Sequence, residues 1–95
     1  LNNCWACYHS ELFNAEHKGL HFGIIGCAVG ASYAVLLAEQ LFVSGCELLV
    51  SITSAGRINE GVRSDYLLIK DTLRDEGTSY HYLAEGDTCA MSEVL

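Results

Sequence analysis

Basic residues are scarce in this sequence. Five Lys and Arg stand against twelve Asp and Glu, which gives a formal net charge of −7 at pH 7. This surplus of negative charge repels a phosphate backbone, and the sequence has no basic stripe that could neutralise one. We therefore expect no nucleic-acid partner.

Long apolar runs and a secretory signal are missing as well. No stretch approaches the roughly 20 apolar residues that a membrane-spanning helix needs. The first residues lack the basic, apolar and small-residue order of a signal peptide. We expect a soluble, cytoplasmic protein with no membrane partner. Proline is also absent, which is unusual for a chain with turn-rich segments.

Cysteine, by contrast, occurs five times. An odd number in a chain without a signal peptide predicts free thiols rather than a disulfide framework. Cys27 and Cys46 stand in apolar stretches, and we expect both in the core.

The 95 residues, 51% of them hydrophobic, suit one small domain. We divide the chain into a poorly defined N-terminal segment (1–21), an α/β core fragment (22–83) and a C-terminal segment (84–95). Within the first, Ser10 is a suitable cap for a short helix over residues 10–17.

The core fragment opens with a strand and a helix. Residues 22–27 are apolar and run into a turn of small residues, which predicts a short strand followed by a chain reversal. Residues 33–44 are rich in Ala, Leu and Gln and stop at Gly45, which suits a left-handed C-cap. Because so few of the helical residues are polar, we expect this helix to be covered on most sides by a sheet and by a neighbouring helix or subunit.

Two further strands complete the predicted fold. Residues 46–53 form a near-continuous apolar run, typical of a central parallel strand, and residues 65–73 supply another strand beyond a turn-rich loop at 54–64. Strand, helix and strand make a right-handed βαβ unit. The predicted fold class is therefore α/β, a three-layer arrangement of a mixed or parallel sheet with flanking helices. Ligands of such sheets gather beyond the carboxyl ends of the strands.

Three stretches at that edge could bind a ligand. The glycines of "GIIGCAVG" match neither a dinucleotide fingerprint nor a P-loop, so they indicate either close packing or a ligand-facing turn. "TSAG", residues 53–56, is either an ordinary turn or a site whose hydroxyls and N–H groups hold phosphate or sugar oxygens. In "RDEGTSYHYL", residues 74–83, Arg74 could simply pair with Asp75 or Glu76 at the surface, where such a pair stabilises little. His81 is either a partly buried structural histidine or a polar contact in a pocket between stacking tyrosines.

A zinc site is a further candidate near the N-terminus. Cys4 and Cys7 have metal-ligand spacing, and His17 and His21 follow, but only nine residues separate Cys7 from His17, against about twelve in common zinc fingers. A redox Cys-x-x-Cys would need a preceding strand that the sequence does not supply. Two incidental thiols remain the simplest interpretation, and we assign no metal.

Together, "GIIGCAVGASYAVLLAEQLFVSGCELLVSITSAGRI" and "RDEGTSYHYL" resemble the central part of the nucleoside phosphorylase family, which includes uridine phosphorylase and hexameric purine nucleoside phosphorylase. The resemblance covers residues 22–83, about two-thirds of the 95 residues. It implies a homo-oligomer that cleaves a purine or pyrimidine nucleoside with phosphate, giving free base and ribose 1-phosphate, with phosphate as co-substrate and no cofactor. A sister branch, the nucleosidases, uses water instead.

The resemblance also implies site residues. Ser54 falls on the hydroxyl residue that contacts phosphate, Ala55 and Gly56 fall on backbone near the base, and Val29 falls on an apolar residue that lines the ribose. Thr53 belongs to the same segment, and the segment containing His81 borders the active-site region in one branch of the family.

This sequence departs from the family pattern, so either phosphate or water could be the nucleophile. Ser51 stands where phosphorylases usually have an arginine that grips phosphate bidentately, and Thr53 replaces a common glycine. The N-terminal phosphate loop, the Met-Glu ribose clamp and the later Asp acid have no counterpart, so no catalytic residue is assigned. We expect a fragment with little or no turnover. The alternatives are a hydrolytic nucleosidase and a non-catalytic metabolite-binding module that self-associates through its apolar helix.

Overall fold

The computed structural model describes residues 1–61 and 64–91. The chain divides into two compact units, Leu1–Leu49 and Val50–Leu95. The first contains a β-hairpin and an α-helix, and the second contains a short strand pair and one turn of 3₁₀ helix.

The hairpin joins β1 (Leu12–His17) and β2 (Leu20–Ile25) in antiparallel register, with His17 opposite Leu20. Lys18 and Gly19 form the two-residue connection, with φ of 52° and 80°. Positive φ at both central positions is the geometry of a type I′ turn, whose twist matches that of the paired strands. Local turn chemistry therefore fixes the register of this hairpin.

The prediction of a helix over residues 10–17 was wrong, because β1 occupies most of that range. Phe13, Ala15 and His17 alternate with polar neighbours, and each lies opposite a residue of β2. Cross-strand pairing outweighs the local capping signal of Ser10, since an isolated short helix is marginal in water. The strand predicted at 22–27 does form, displaced to Leu20–Ile25 and paired antiparallel.

The predicted helix is confirmed as α1 (Ala31–Val43). Its C-terminus is a Schellman motif: the Gly45 N–H donates to the Phe42 carbonyl and the Cys46 N–H donates to the Leu41 carbonyl, each at 3.0 Å. Gly45 has φ of 95°, as expected of a left-handed C-cap.

Within the described part of the chain, α1 is not covered on most sides by a sheet and a neighbouring helix as expected; cover by a neighbouring subunit stays a prediction. Leu37 is its one buried residue, and Leu36, Phe42 and Val43 are exposed. Cys27 is exposed and Cys46 is half-buried, so neither lies in a core as expected. All five cysteines are free thiols.

The second unit holds β3 (Asp71–Leu73) and β4 (Thr88–Ala90), which pair antiparallel, with a 3₁₀ helix at Ser79–His81 between them. The strand predicted at 65–73 is thus reduced to its last three residues. Residues 46–53 form no strand, and every described residue from 47 to 73 is exposed. The predicted loop at 54–64 is irregular where it is described; Val62 and Arg63 lie outside the described residues.

The α/β fold class is therefore wrong. One α-helix, one turn of 3₁₀ helix and two small antiparallel two-stranded sheets make up the regular structure of the described residues, and neither sheet is parallel or covered by helices. A central parallel strand needs a hydrogen-bonded neighbour on each side and a helix on each face. Residues 46–53 have neither, so the apolar side chains of residues 47–53 stay in solvent.

Buried residues are few. Among residues 1–61 and 64–91, only Cys7, Leu37 and Arg74 are buried. In this part of the chain, no helix combines the length and apolar character needed to cross a membrane.

Candidate functional site

Arg74 is the centre of a polar cluster in the second unit. Its side chain is only 7% exposed. The guanidinium donates from Nε to Ser79 Oγ at 3.0 Å, from Nη1 to the Ala84 carbonyl, and from Nη2 to the Leu83 carbonyl at 3.3 Å. A buried charge is tolerated when its donors are paired in this way.

Tyr80 covers the guanidinium from another side. The Arg74 Cζ atom lies 4.4 Å from the centroid of the Tyr80 ring, a cation–π contact. The Tyr80 hydroxyl donates to the Arg74 carbonyl at 2.9 Å. Arg74 is therefore an internal clamp that closes residues 74–84 into a loop, and the surface pair expected from the sequence was the wrong interpretation.

Glu76 caps the 3₁₀ helix. Its carboxylate accepts hydrogen bonds from the backbone N–H of Thr78 at 2.7 Å, from the N–H of Ser79 at 3.1 Å and from the Ser79 hydroxyl. The bonds from the Ser79 side chain and backbone are the main reason why the pKa of Glu76 lies below its ordinary value, and the positive charge of Arg74 adds a smaller effect. Glu76 therefore orders the loop most effectively as a carboxylate.

The clamped loop presents aromatic and imidazole groups at its surface. His81 is exposed at the end of the 3₁₀ helix, and the flanking Tyr80 and Tyr82 are about half exposed, at 50% and 53%. Of the two interpretations of His81, the exposed position excludes a buried structural histidine. A preorganised loop with exposed rings can stack on a flat apolar ligand and donate or accept a hydrogen bond at the imidazole.

The "TSAG" segment lies in exposed, irregular backbone. Thr53, Ser54, Ala55 and Gly56 are all exposed, and the Thr53 hydroxyl donates to the Ser54 carbonyl at 3.3 Å. A Cβ added to Gly56 would meet nothing within 4 Å. The two hydroxyls and the backbone N–H groups of this segment are accessible, but no strand end holds them as the sequence predicted.

Val29 belongs to the first unit, whereas the other five predicted site residues belong to the second. It is 83% exposed, and its N–H donates to the Cys27 carbonyl at 2.9 Å in the turn before α1.

The ordering role of Glu76 and Ser79 was not predicted from the sequence. The signal was present: an acidic residue followed by Gly77 and two hydroxyl residues suits a side chain that caps the next turn. The burial of Arg74 carried no local signal, because two of its acceptors lie nine and ten residues further along the chain.

The candidate zinc ligands do not converge. His17 and His21 lie on opposite faces of the hairpin, since His17 is paired with Leu20 and His21 with Glu16. The His21 imidazole lies 3.8 Å from the Glu16 carboxylate. Among the described residues, no group of three or more His, Cys, Asp or Glu could hold a metal ion.

No protein-family model matches this chain, and neither a curated protein nor a solved structure matches it.

Proposed function

We propose that this chain is a nucleoside phosphorylase-like segment that binds a purine or pyrimidine nucleoside through the loop at residues 74–83. The proposal starts from the similarity of "TSAG" and "RDEGTSYHYL" to the nucleoside phosphorylases. The observation that carries it is the internal clamp of Arg74, Glu76 and Ser79, which orders the loop without using the imidazole of His81.

Each part of a nucleoside has a chemically suitable partner in the second unit. The half-exposed ring of Tyr82, and the face of the Tyr80 ring that the Arg74 guanidinium does not cover, are the proposed surfaces on which a base can stack. Stacking tolerates any base because every base has a π-face. The imidazole of His81 can exchange hydrogen bonds with a ribose hydroxyl. Because the clamp already fixes the backbone, little ordering entropy would be lost on binding.

The hydroxyls of Thr53 and Ser54 are the proposed contacts for phosphate, which is the co-substrate of the nucleoside phosphorylase reaction. Both are neutral donors, and Ser51 supplies no guanidinium for a bidentate grip. We therefore expect weak phosphate binding. The second candidate reaction is hydrolysis, in which water instead of phosphate attacks the nucleoside. We propose a cytoplasmic location, in keeping with five free thiols.

Calorimetric titration with uridine and inosine tests the binding step. We expect saturable binding, and we expect His81→Ala to weaken it about fivefold to tenfold, as for one lost hydrogen bond. His9→Ala is the matched control, because His9 is exposed and belongs to the first unit. Absence of binding, or equal loss in the two variants, would reject the proposed site.

Release of free base, measured with and without phosphate, tests the reaction class. Release that requires phosphate would support phosphorolysis, and release in its absence would support hydrolysis. We expect little turnover in either case, because no general acid for the departing base is assigned in this chain. Turnover at a rate normal for an enzyme, on the order of 10 per second, would contradict this expectation.

A further inference from the structure

We draw no further inference here: the strongest candidate, the exposed apolar face of the β1–β2 hairpin formed by Phe13, Leu20, Phe22 and Ile24, is an unpartnered sheet face, and nothing in the described part of the chain shows what covers it.

Discussion

Arg74 is buried in the second unit, where a small folded unit usually buries apolar side chains. It is the one buried residue among those described in Val50–Leu95. Its planar guanidinium bonds to one hydroxyl and two carbonyls and stacks on Tyr80. The planar guanidinium has several N–H donors and can contact all of these partners at once. The single ammonium group of lysine cannot, so replacing Arg74 by lysine should remove some of these contacts.

Arg74→Lys should loosen the loop. We expect amide hydrogen exchange at Leu83, whose N–H donates to the Ser79 carbonyl at 3.0 Å, to become roughly tenfold to thirtyfold faster, or about 1.4–2 kcal/mol. Arg57→Lys, at an exposed arginine of the same unit, serves as the control. Unchanged exchange at Leu83 in Arg74→Lys would show that the clamp does not order the loop.

Glu76 makes the loop sensitive to acid. Its pKa in the folded chain lies below the ordinary value of 4.5, so the folded state binds this proton less readily than the unfolded state does. The stabilisation is therefore complete above the ordinary value and is lost as the pH falls through the lower, folded pKa. Carbon-13 NMR titration of the Glu76 carboxyl should show the depressed pKa and loss of the Ser79 amide shift in the same pH range.

Ser79→Ala tests the cause of that shift. Removing the hydroxyl removes the largest stabilising hydrogen bond, so the pKa of Glu76 should rise towards its ordinary value. Ser64→Ala removes a hydroxyl that donates to the Tyr66 carbonyl instead and should leave the Glu76 titration as it was. Equal titrations in all three proteins would assign the shift to another cause.

The residue types of the candidate site could be predicted from the sequence. Hydroxyls and flexible backbone at residues 53–56, and His81 between two tyrosines, could be named from the sequence and the resemblance. Their arrangement could not, because it depends on whether residues 46–53 find strands to pair with. Pairing of this kind is a property of the assembled sheet rather than of the segment itself.

Among the elements, α1 was predictable and β1 was not. The helix has thirteen residues, strong helix formers and a glycine stop, so local preference and length agree. The β1 segment is short, and its capping residue suggested a helix. The stronger signal was the Lys18-Gly19 pair between alternating apolar residues, because a two-residue turn that ends in glycine favours a hairpin.

The end of α1 depends on one glycine. Gly45→Ala places a Cβ at φ of 95°, which should destabilise the helix terminus by about 1–2 kcal/mol. Faster hydrogen exchange at Cys46, whose N–H donates to the Leu41 carbonyl, would report the loss. Gly26→Ala is the matched control, since a Cβ there meets nothing within 4 Å. Equal effects at the two glycines would contradict the role assigned to Gly45.

Considered over both units, the chain displays apolar segments that a larger α/β sheet would bury. Leu48, Val50 and Ile52 are 65%, 66% and 86% exposed, and Tyr66 and Leu68 are 86% and 77% exposed. The composition correctly indicated abundant apolar side chains. Their burial requires neighbouring strands and covering helices, which the described residues do not provide. The local helix was therefore predictable, whereas the three-layer arrangement was not.

The proposed function depends on a site and not on that fold class, because binding groups can act on any scaffold that holds them in place. The loop at residues 74–83 meets this requirement through its internal clamp.

The most direct test of nucleoside binding is a two-dimensional NMR titration of the labelled chain with uridine and with inosine, each with phosphate present. We predict saturable shift changes concentrated at residues 80–82, with smaller changes at residues 53–56. Shifts confined to Leu1–Leu49, or no shifts up to about 10 mM nucleoside, well above the millimolar range of weak binding, would contradict the proposed function.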